Sequence, residues 1–187
     1  MTIKIDVDGV IRDILTPICK LYNEEHGEDI TPDDFTEWGI ENILTKEKDP
    51  CGKYFNVHCD YVFREGAKLI DGAKKKIDEL REKGAFVLIC TTQDKLKQKI
   101  ATLRFLEENG IAYDGIVFTR EKHLIKGDVL LDDSPENIEM NQRHCPKSLT
   151  VIIDHPYNKD VKETENTVRI KSISELRLKI RKKALTK

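Results

Sequence analysis

Residues 3–10 read Ile3-Lys4-Ile5-Asp6-Val7-Asp8-Gly9-Val10. Ile3 to Val7 is a short, largely apolar run that favours a strand, and Gly9 follows where the backbone can leave a sheet. Side chains two apart on a strand share a face. Asp6 and Asp8 are therefore expected to reach into one pocket while Val7 points back into the protein.

Working outward from this stretch, the pattern becomes regular from Gly72 onward. It predicts a helix to about Lys83, a strand at Phe86 to Cys90, and a helix from about Lys95 to Asn109 closed by Gly110. A strand near Ile116-Val117-Phe118, another at Val129 to Leu131, a helix from Pro135 to about Arg143 and a strand at Leu149 to Ile153 complete the series. Strands alternating with helices imply an α/β fold, a Rossmann-like parallel sheet covered on both faces. The stretch from Arg12 to about Lys68 differs. Ile14, Ile18, Leu21 and Tyr22 fall at helical spacing, and Thr31-Pro32-Asp33-Asp34 offers a helix start with Pro in its first turn. Seven acids lie between Glu24 and Glu37, and Phe35, Trp38, Tyr54, Phe55, Tyr61 and Phe63 concentrate in the same stretch, which reads as a helical insertion after the first strand. The tail from Lys171 carries seven Lys or Arg against one Glu. With Ile173, Leu176 and Ile180 on one side it is expected to form an amphipathic helix whose charges face solvent, a reading preferred over an RNA-binding arm.

The chain has 187 residues, enough for one domain with a modest insertion and a real core. Lys plus Arg total 32 against 34 Asp plus Glu, and the formal charge of −2 gives no overall attraction to nucleic acid or an anionic membrane. Anion binding must be local. The five cysteines are scattered with no CxxC pair, which argues against a disulfide framework or a zinc ribbon and for reduced thiols in a cytoplasmic protein. No stretch resembles a signal peptide or a membrane span, and because the candidate residues begin at position 6, a cleaved leader would remove them.

Ligands of open α/β sheets bind outside the carboxyl ends of the strands, so acids placed there carry weight. Four such places stand out: Asp6 and Asp8, then Thr91-Thr92, then Lys122, then Asp132-Asp133. Two carboxylates about 4 Å apart repel by roughly 4 kcal/mol even at an effective dielectric near 20, so a crowd of them requires a positive charge. Oxygen ligands with room for water suit Mg²⁺. A phosphate monoester on that metal would still need the Lys122 ammonium and neutral donors such as Thr91 and nearby backbone N–H groups. Asp6 would attack phosphorus in line; Asp8 would protonate the leaving oxygen and then deprotonate water, hydrolysing an aspartyl phosphate. Taken singly each signal has a bland reading: DxD occurs in glycosyltransferases, Thr-Thr at a strand end is commonly structural, and Asp-Asp commonly caps a helix such as that starting at Ser134-Pro135. The order Asp, Thr, Lys, Asp-Asp is the specific feature, and it differs from that of two-component receiver domains.

Those residues resemble the motifs of the haloacid-dehalogenase superfamily of phosphatases. Asp6-Val7-Asp8-Gly9-Val10 is similar to its DxDGx[TV] motif, Leu88-Ile89-Cys90-Thr91 to the second, Lys122 to the third, and Gly127-Asp128 through Asp132-Asp133 to the fourth. Within it the chain most resembles the 5′(3′)-deoxyribonucleotidases. The shared segments are Asp6 through Asp13, Tyr22 to Gly27, Phe35-Thr36-Glu37-Trp38, Gly72-Ala73, Ile89 to Thr92 and Thr119 to Lys122, and the likeness covers nearly all of residues 1 to about 155. It implies Asp6 as nucleophile and metal ligand, Asp8 as acid/base and metal ligand through its carbonyl, and Asp133 as the remaining ligand. It further implies Asp132 as support for the metal shell, Thr91, Thr92 and Lys122 as phosphate binders, and Mg²⁺ as cofactor. Residues 1–12 and 69–187 would form the core and residues 13–68 a helical cap that restricts substrates to small molecules. Family nucleotidases place an aromatic where Ile14 stands and often an Arg where this chain has Ser134. Ile14, Phe35, Trp38 and Phe63 are candidate substrate contacts in the cap, with packing the simpler role for any one aromatic.

The expected substrate is a small phosphomonoester, a (deoxy)nucleoside monophosphate in the first place. A nucleic-acid 3′-phosphatase, another small-metabolite phosphatase and a non-catalytic nucleotide-binding relative are the alternatives, and a homodimer is left open. His58 between Cys51 and Cys59 lacks a fourth ligand and reads as cap packing, so zinc is not expected. His123 beside Lys122 reads as a surface residue and Cys90 as inert core.

Overall fold

The computed structural model describes residues 1–178. The chain opens with Thr2–Ile5 (β1), then Arg12–Asp13 (β2), Leu15–His26 (α1) and the single turn Pro50–Gly52 (α2), followed by Lys68–Leu69 (β3) and Ala73–Glu82 (α3). Phe86–Thr91 (β4), Leu96–Glu108 (α4), Gly115–Phe118 (β5), Val129–Asp132 (β6), Pro135–His144 (α5), Leu149–Ile153 (β7) and Thr167–Ile170 (β8) complete it. Six of these strands form one parallel sheet in the order β5-β4-β1-β6-β7-β8. β1 is flanked by β4 and β6, so the connections diverge on its two sides, which opens a crevice at the carboxyl ends of those three strands.

Alternation along the strands assigns the two faces. Ile3, Ile5, Val129, Leu131, Val151 and Ile153 are buried in one cluster with Ala73, Ile77 and Leu80 of α3 and Phe105 and Leu106 of α4. On the other face Ile152 packs with Ile138 of α5, and the fully buried Lys4 bonds Asn141 of the same helix. Helices thus cover both faces, and the expected α/β class with a parallel sheet is what the chain forms.

The insertion is not helical throughout. Its two ends, β2 and β3, pair antiparallel as a short neck, Arg12 opposite Leu69 and Asp13 opposite Lys68. Helix α1 begins where Asp13 accepts from the Thr16 N–H at 3.0 Å and ends at Gly27, whose φ of +65° lets its N–H reach the Asn23 carbonyl. The helix start expected at Thr31 yields only one 3-10 turn, Pro32–Asp34. The segment then continues through 3-10 and π turns, at Ile40–Asn42, Lys53–Val57 and Tyr61–Glu65, around its own apolar cluster of Ile18, Tyr22, Phe35, Leu44, Tyr54 and Val62.

The expected amphipathic helix from Lys171 is not what the described residues form. After β8 there is a single 3-10 turn, Ile173–Glu175, and Ile173 and Leu176 are both buried in the main core. Apolar residues three apart fit a tight turn dropped into the core as well as a helix face. Ile180 lies outside the described residues. Among the described residues no helix is long and apolar enough to cross a membrane.

Candidate active site

The site stands at the crevice beside β1. Ile5 is level with Ile89 of β4 and Leu131 of β6, so one step further along bring Asp6, Cys90 and Asp132 side by side. The strand proper stops at Ile5, short of the expected Val7, although the Asp6 N–H still pairs with the Leu131 carbonyl at 3.0 Å. Val7 is fully buried and points inward as expected. Gly9 turns with φ +70°, and a Cβ there would lie 2.0 Å from Asp133 Oδ2. Only glycine leaves Asp133 room to approach.

Oxygens of Asp6, Asp132 and Asp133 lie within 4.8 Å of one another, and all three residues are buried. Lys122, 1% exposed, places its ammonium 2.8 Å from Asp6 Oδ2 and 2.8 Å from Asp132 Oδ2. Burial opposes the charge on Lys122, but the carboxylates of Asp132 and Asp6 outweigh it and hold the ammonium above the ordinary lysine range. Burial, with Asp132 and Asp8 adding to it against Lys122, pushes Asp6 up to about 7. Burial and then Asp6 and Asp132 also raise Asp133 well above the usual carboxylate range. One ammonium does not offset three acids, so their full ionisation is disfavoured without a further positive charge, and their hard oxygens fit Mg²⁺.

Lys122 sits in a 3-10 turn after β5. Beneath it, Lys4 donates to the carbonyls of Lys122 and Ile125, both at 3.0 Å, and to Asn141 Oδ1 at 3.2 Å. Asp132 combines two readings of the acid pair. Its Oδ2 accepts from Lys122, while its Oδ1 accepts from the Ser134 N–H at 3.0 Å and Asn137 Nδ2 at 3.1 Å, at the start of α5.

Asp8 does not join the three-carboxylate cluster. Its Oδ1 accepts from Arg12 Nε at 2.7 Å and its Oδ2 from Gln93 Nε2 at 2.9 Å. Arg12 is fully buried and also donates to the Phe63 carbonyl at 2.7 Å and the Thr102 hydroxyl at 3.0 Å. Its guanidinium lies 4.9 Å from the Phe63 ring centroid and 5.1 Å from that of Phe105. Thr91 ends β4, 1% exposed. The Thr92 hydroxyl, in contrast, donates to the Thr119 carbonyl at 3.1 Å, tying the loop after β4 to the loop after β5.

Of the cap candidates, Phe35 and Phe63 are buried in the insertion's apolar cluster and Ile14 packs against it. Trp38 is half exposed, its ring edge-on to Tyr157 at 5.3 Å. Cys90 is buried, and burial raises its thiol to about 11. His123, expected at the surface, is instead largely buried, its side chain 10% exposed and packed against the His144 ring, and Cys59 is buried while Cys51 is exposed. Lys4, Arg12, Gln93, Tyr157 and Asn158 were not singled out from the sequence as site residues. A lysine inside an apolar strand was a readable signal; the identities of Gln93, Tyr157 and Asn158 follow no spacing. The open concavities along α3, the larger of 730 Å³, share no residue with this site.

The sequence model of the family described as 5′ nucleotidase, deoxy (pyrimidine), cytosolic type C protein (NT5C) matches residues 1–185. A 5′(3′)-deoxyribonucleotidase of Clostridium acetobutylicum is 27% identical over 139 residues, 74% of this chain and 76% of that one. One of Bacillus subtilis is 24% identical over 162 residues, 84% of this chain and 87% of that one. Among solved structures, a protein assigned as a haloacid dehalogenase-like hydrolase from Burkholderia xenovorans superposes with a TM-score of 0.59 at 13% identity, covering 92% of this chain and 93% of that one. D,D-heptose 1,7-bisphosphate phosphatase from Burkholderia thailandensis gives 0.52 at 12%, covering 92% and 93%. At such identities the superpositions establish the fold, and the family match establishes the kinship. The chain belongs to the 5′ nucleotidase, deoxy (pyrimidine), cytosolic type C (NT5C) family of phosphatases and has the haloacid-dehalogenase-like fold.

Proposed function

We propose that this chain hydrolyses a small phosphomonoester, a (deoxy)nucleoside monophosphate, with Asp6 as the nucleophile. The observation that carries the reading is the Asp6 carboxylate held 2.8 Å from the buried Lys122 ammonium beside Asp132 and Asp133. Mg²⁺ fits the side chains of Asp6 and Asp133 and the Asp8 carbonyl, with Asp132 supporting them, and when bound supplies the charge neutralisation that lets a dianionic phosphate approach.

Lys122 and Thr91 hold phosphate oxygens, the first as a fixed charge and the second as a neutral donor at the end of β4. Asp6 attacks phosphorus, the ester bond breaks, and Asp8 gives a proton to the leaving oxygen. Asp8 then takes a proton from the water that cleaves the aspartyl phosphate, restoring Asp6 and releasing inorganic phosphate. Arg12 and Gln93 orient Asp8 for both transfers. Residues 13 to 68 act as a cap that excludes bulk water and limits substrate size, with residues 1–12 and 69 onward forming the core.

Phosphate release from a series of deoxy- and ribonucleoside monophosphates and a generic aryl phosphate, with and without Mg²⁺, tests this. Asp6→Asn is expected to lower kcat by about three orders of magnitude or more. Activity retained by Asp6→Asn would reject the nucleophile assignment.

A further inference from the structure

The loop after β7, residues 155–158, carries none of the motifs used above, yet it meets the site at three points. Tyr157 donates its phenol hydrogen to Asp133 Oδ2 at 2.5 Å. Asn158 Nδ2 donates to the Asp133 and Ile153 carbonyls, both at 2.8 Å. His155 Nε2 lies 2.8 Å from the Gly9 carbonyl oxygen. The Tyr157 ring is held on two sides. It stacks on His155 with centroids 5.0 Å apart and planes 7° from parallel, and it meets the edge of Trp38, from the insertion, at 5.3 Å. A Cβ on Gly9 would stand 2.0 Å from Asp133 Oδ2 and 3.1 Å from the Tyr157 hydroxyl, so phenol, carboxylate and glycine turn share one tightly filled space.

We propose that Tyr157 is a positioning residue that fixes the Asp133 carboxylate for divalent-cation ligation and couples it to the cap through Trp38. The inference rests on reading Asp133 as a metal ligand. Asn158 fixes the main chain of Asp133, which leaves the rotation of its side chain to be set by the phenol. A carboxylate offers about four lone-pair sites, so one phenol bond leaves the others for a cation. Partners that orient metal ligands from outside the coordination shell are commonly worth 10–100-fold in metal affinity. The contact with Trp38 makes the same phenol the place where the cap touches the acid cluster.

The experiment titrates Mg²⁺ alone into the purified protein, followed by calorimetry and by the emission of Trp38, the only tryptophan of the chain. Tyr157→Phe keeps the ring between His155 and Trp38 and removes only the hydroxyl. The wild type is expected to change its Trp38 emission on binding Mg²⁺, and Tyr157→Phe to bind Mg²⁺ about tenfold more weakly and to lose that change. Its kcat on an aryl phosphate should recover at high Mg²⁺, with KM for the ester unchanged. Trp38→Leu, a change at a half-exposed ring, tests the second link independently of how well Tyr157→Phe folds, with a two- to threefold loss of Mg²⁺ affinity expected. Wild-type Mg²⁺ affinity in Tyr157→Phe overturns the positioning role, and wild-type affinity in Trp38→Leu overturns the coupling, in each case while Asp133→Asn binds no metal. Asp133→Asn binding Mg²⁺ as tightly as wild type would instead reject Asp133 as a ligand, and the role of Tyr157 with it.

Discussion

At Gly9 the backbone turns through φ +70° with Asp133 Oδ2 where a side chain would begin. Gly9→Ala meets two costs, the left-handed conformation at about 1–2 kcal/mol and displacement of Asp133 from the cluster. The two losses should be of similar size, with urea denaturation showing about 2 kcal/mol and phosphate release falling by roughly a hundredfold. A variant with full activity would mean that the position of Asp133 is unimportant. The Asp8 carboxylate is held from two sides, by Arg12 and by Gln93. Gln93→Ala removes one of those two groups, and kcat should fall about tenfold with KM little changed. Asp6, Lys122, Asp132 and Asp133, which the structure gathers, were legible in the sequence because acids and a lysine stood at or just after the ends of apolar strands. Gln93 and Tyr157 were not, because they act through contacts between loops that no periodicity encodes. Asp8 shows the limit of strand parity: the strand stops at Ile5, and the Asp8 carboxylate is held by Arg12 and Gln93 and is not one of the three clustered acids.

At the scale of elements, the long strands were readable because each is a nearly continuous apolar run bounded by helix signals. β8 gives little signal because Thr167-Val168-Arg169-Ile170 is a short edge strand with a charge in it, and two-residue strands such as β2 and β3 carry no periodic signal at all. That short neck matters out of proportion to its length, because Arg12 belongs to it. The Arg12 side chain is fully buried and joins Asp8 of the core, the Phe63 carbonyl of the insertion and Thr102 of α4. Removing the guanidinium leaves three acceptors without their donor, one of them charged. Arg12→Met should therefore destabilise the fold by about 3 kcal/mol, a fall in Tm of roughly 10 °C for a chain of this length. A calorimetric scan showing no shift would mean that Asp8 and the neck are held by other contacts.

Across the whole molecule, a near-neutral chain concentrates buried acids at one end of its sheet, and this makes stability depend on pH and metal together. The Asp6 carboxyl rises from its unfolded value of 3.8 to about 7 because it is buried among other acids. Between those values the folded state binds more protons than the unfolded one, so stability is full below about pH 4 as far as this group is concerned and declines as pH rises through 7. Asp133 is shifted in the same direction and extends the decline. His155 acts on the acid side. Burial lowers its pKa against the pull of the Gly9 carbonyl, so its share of stability is present above about 6.5 and lost as pH falls below that. Metal-free protein should therefore melt at a higher temperature near pH 6 than near pH 8. A bound divalent cation replaces the protons on the acid cluster, so its stabilisation should grow across the same interval, reaching about 2.7 kcal/mol at a hundred times Kd. Melting curves with chelator and with Mg²⁺, taken at both pH values, separate these contributions, and Asp6→Asn should flatten the decline in the metal-free series. Equal Mg²⁺ stabilisation at pH 6 and pH 8 would contradict the account, since it would mean that no protons leave the carboxylates when the cation binds.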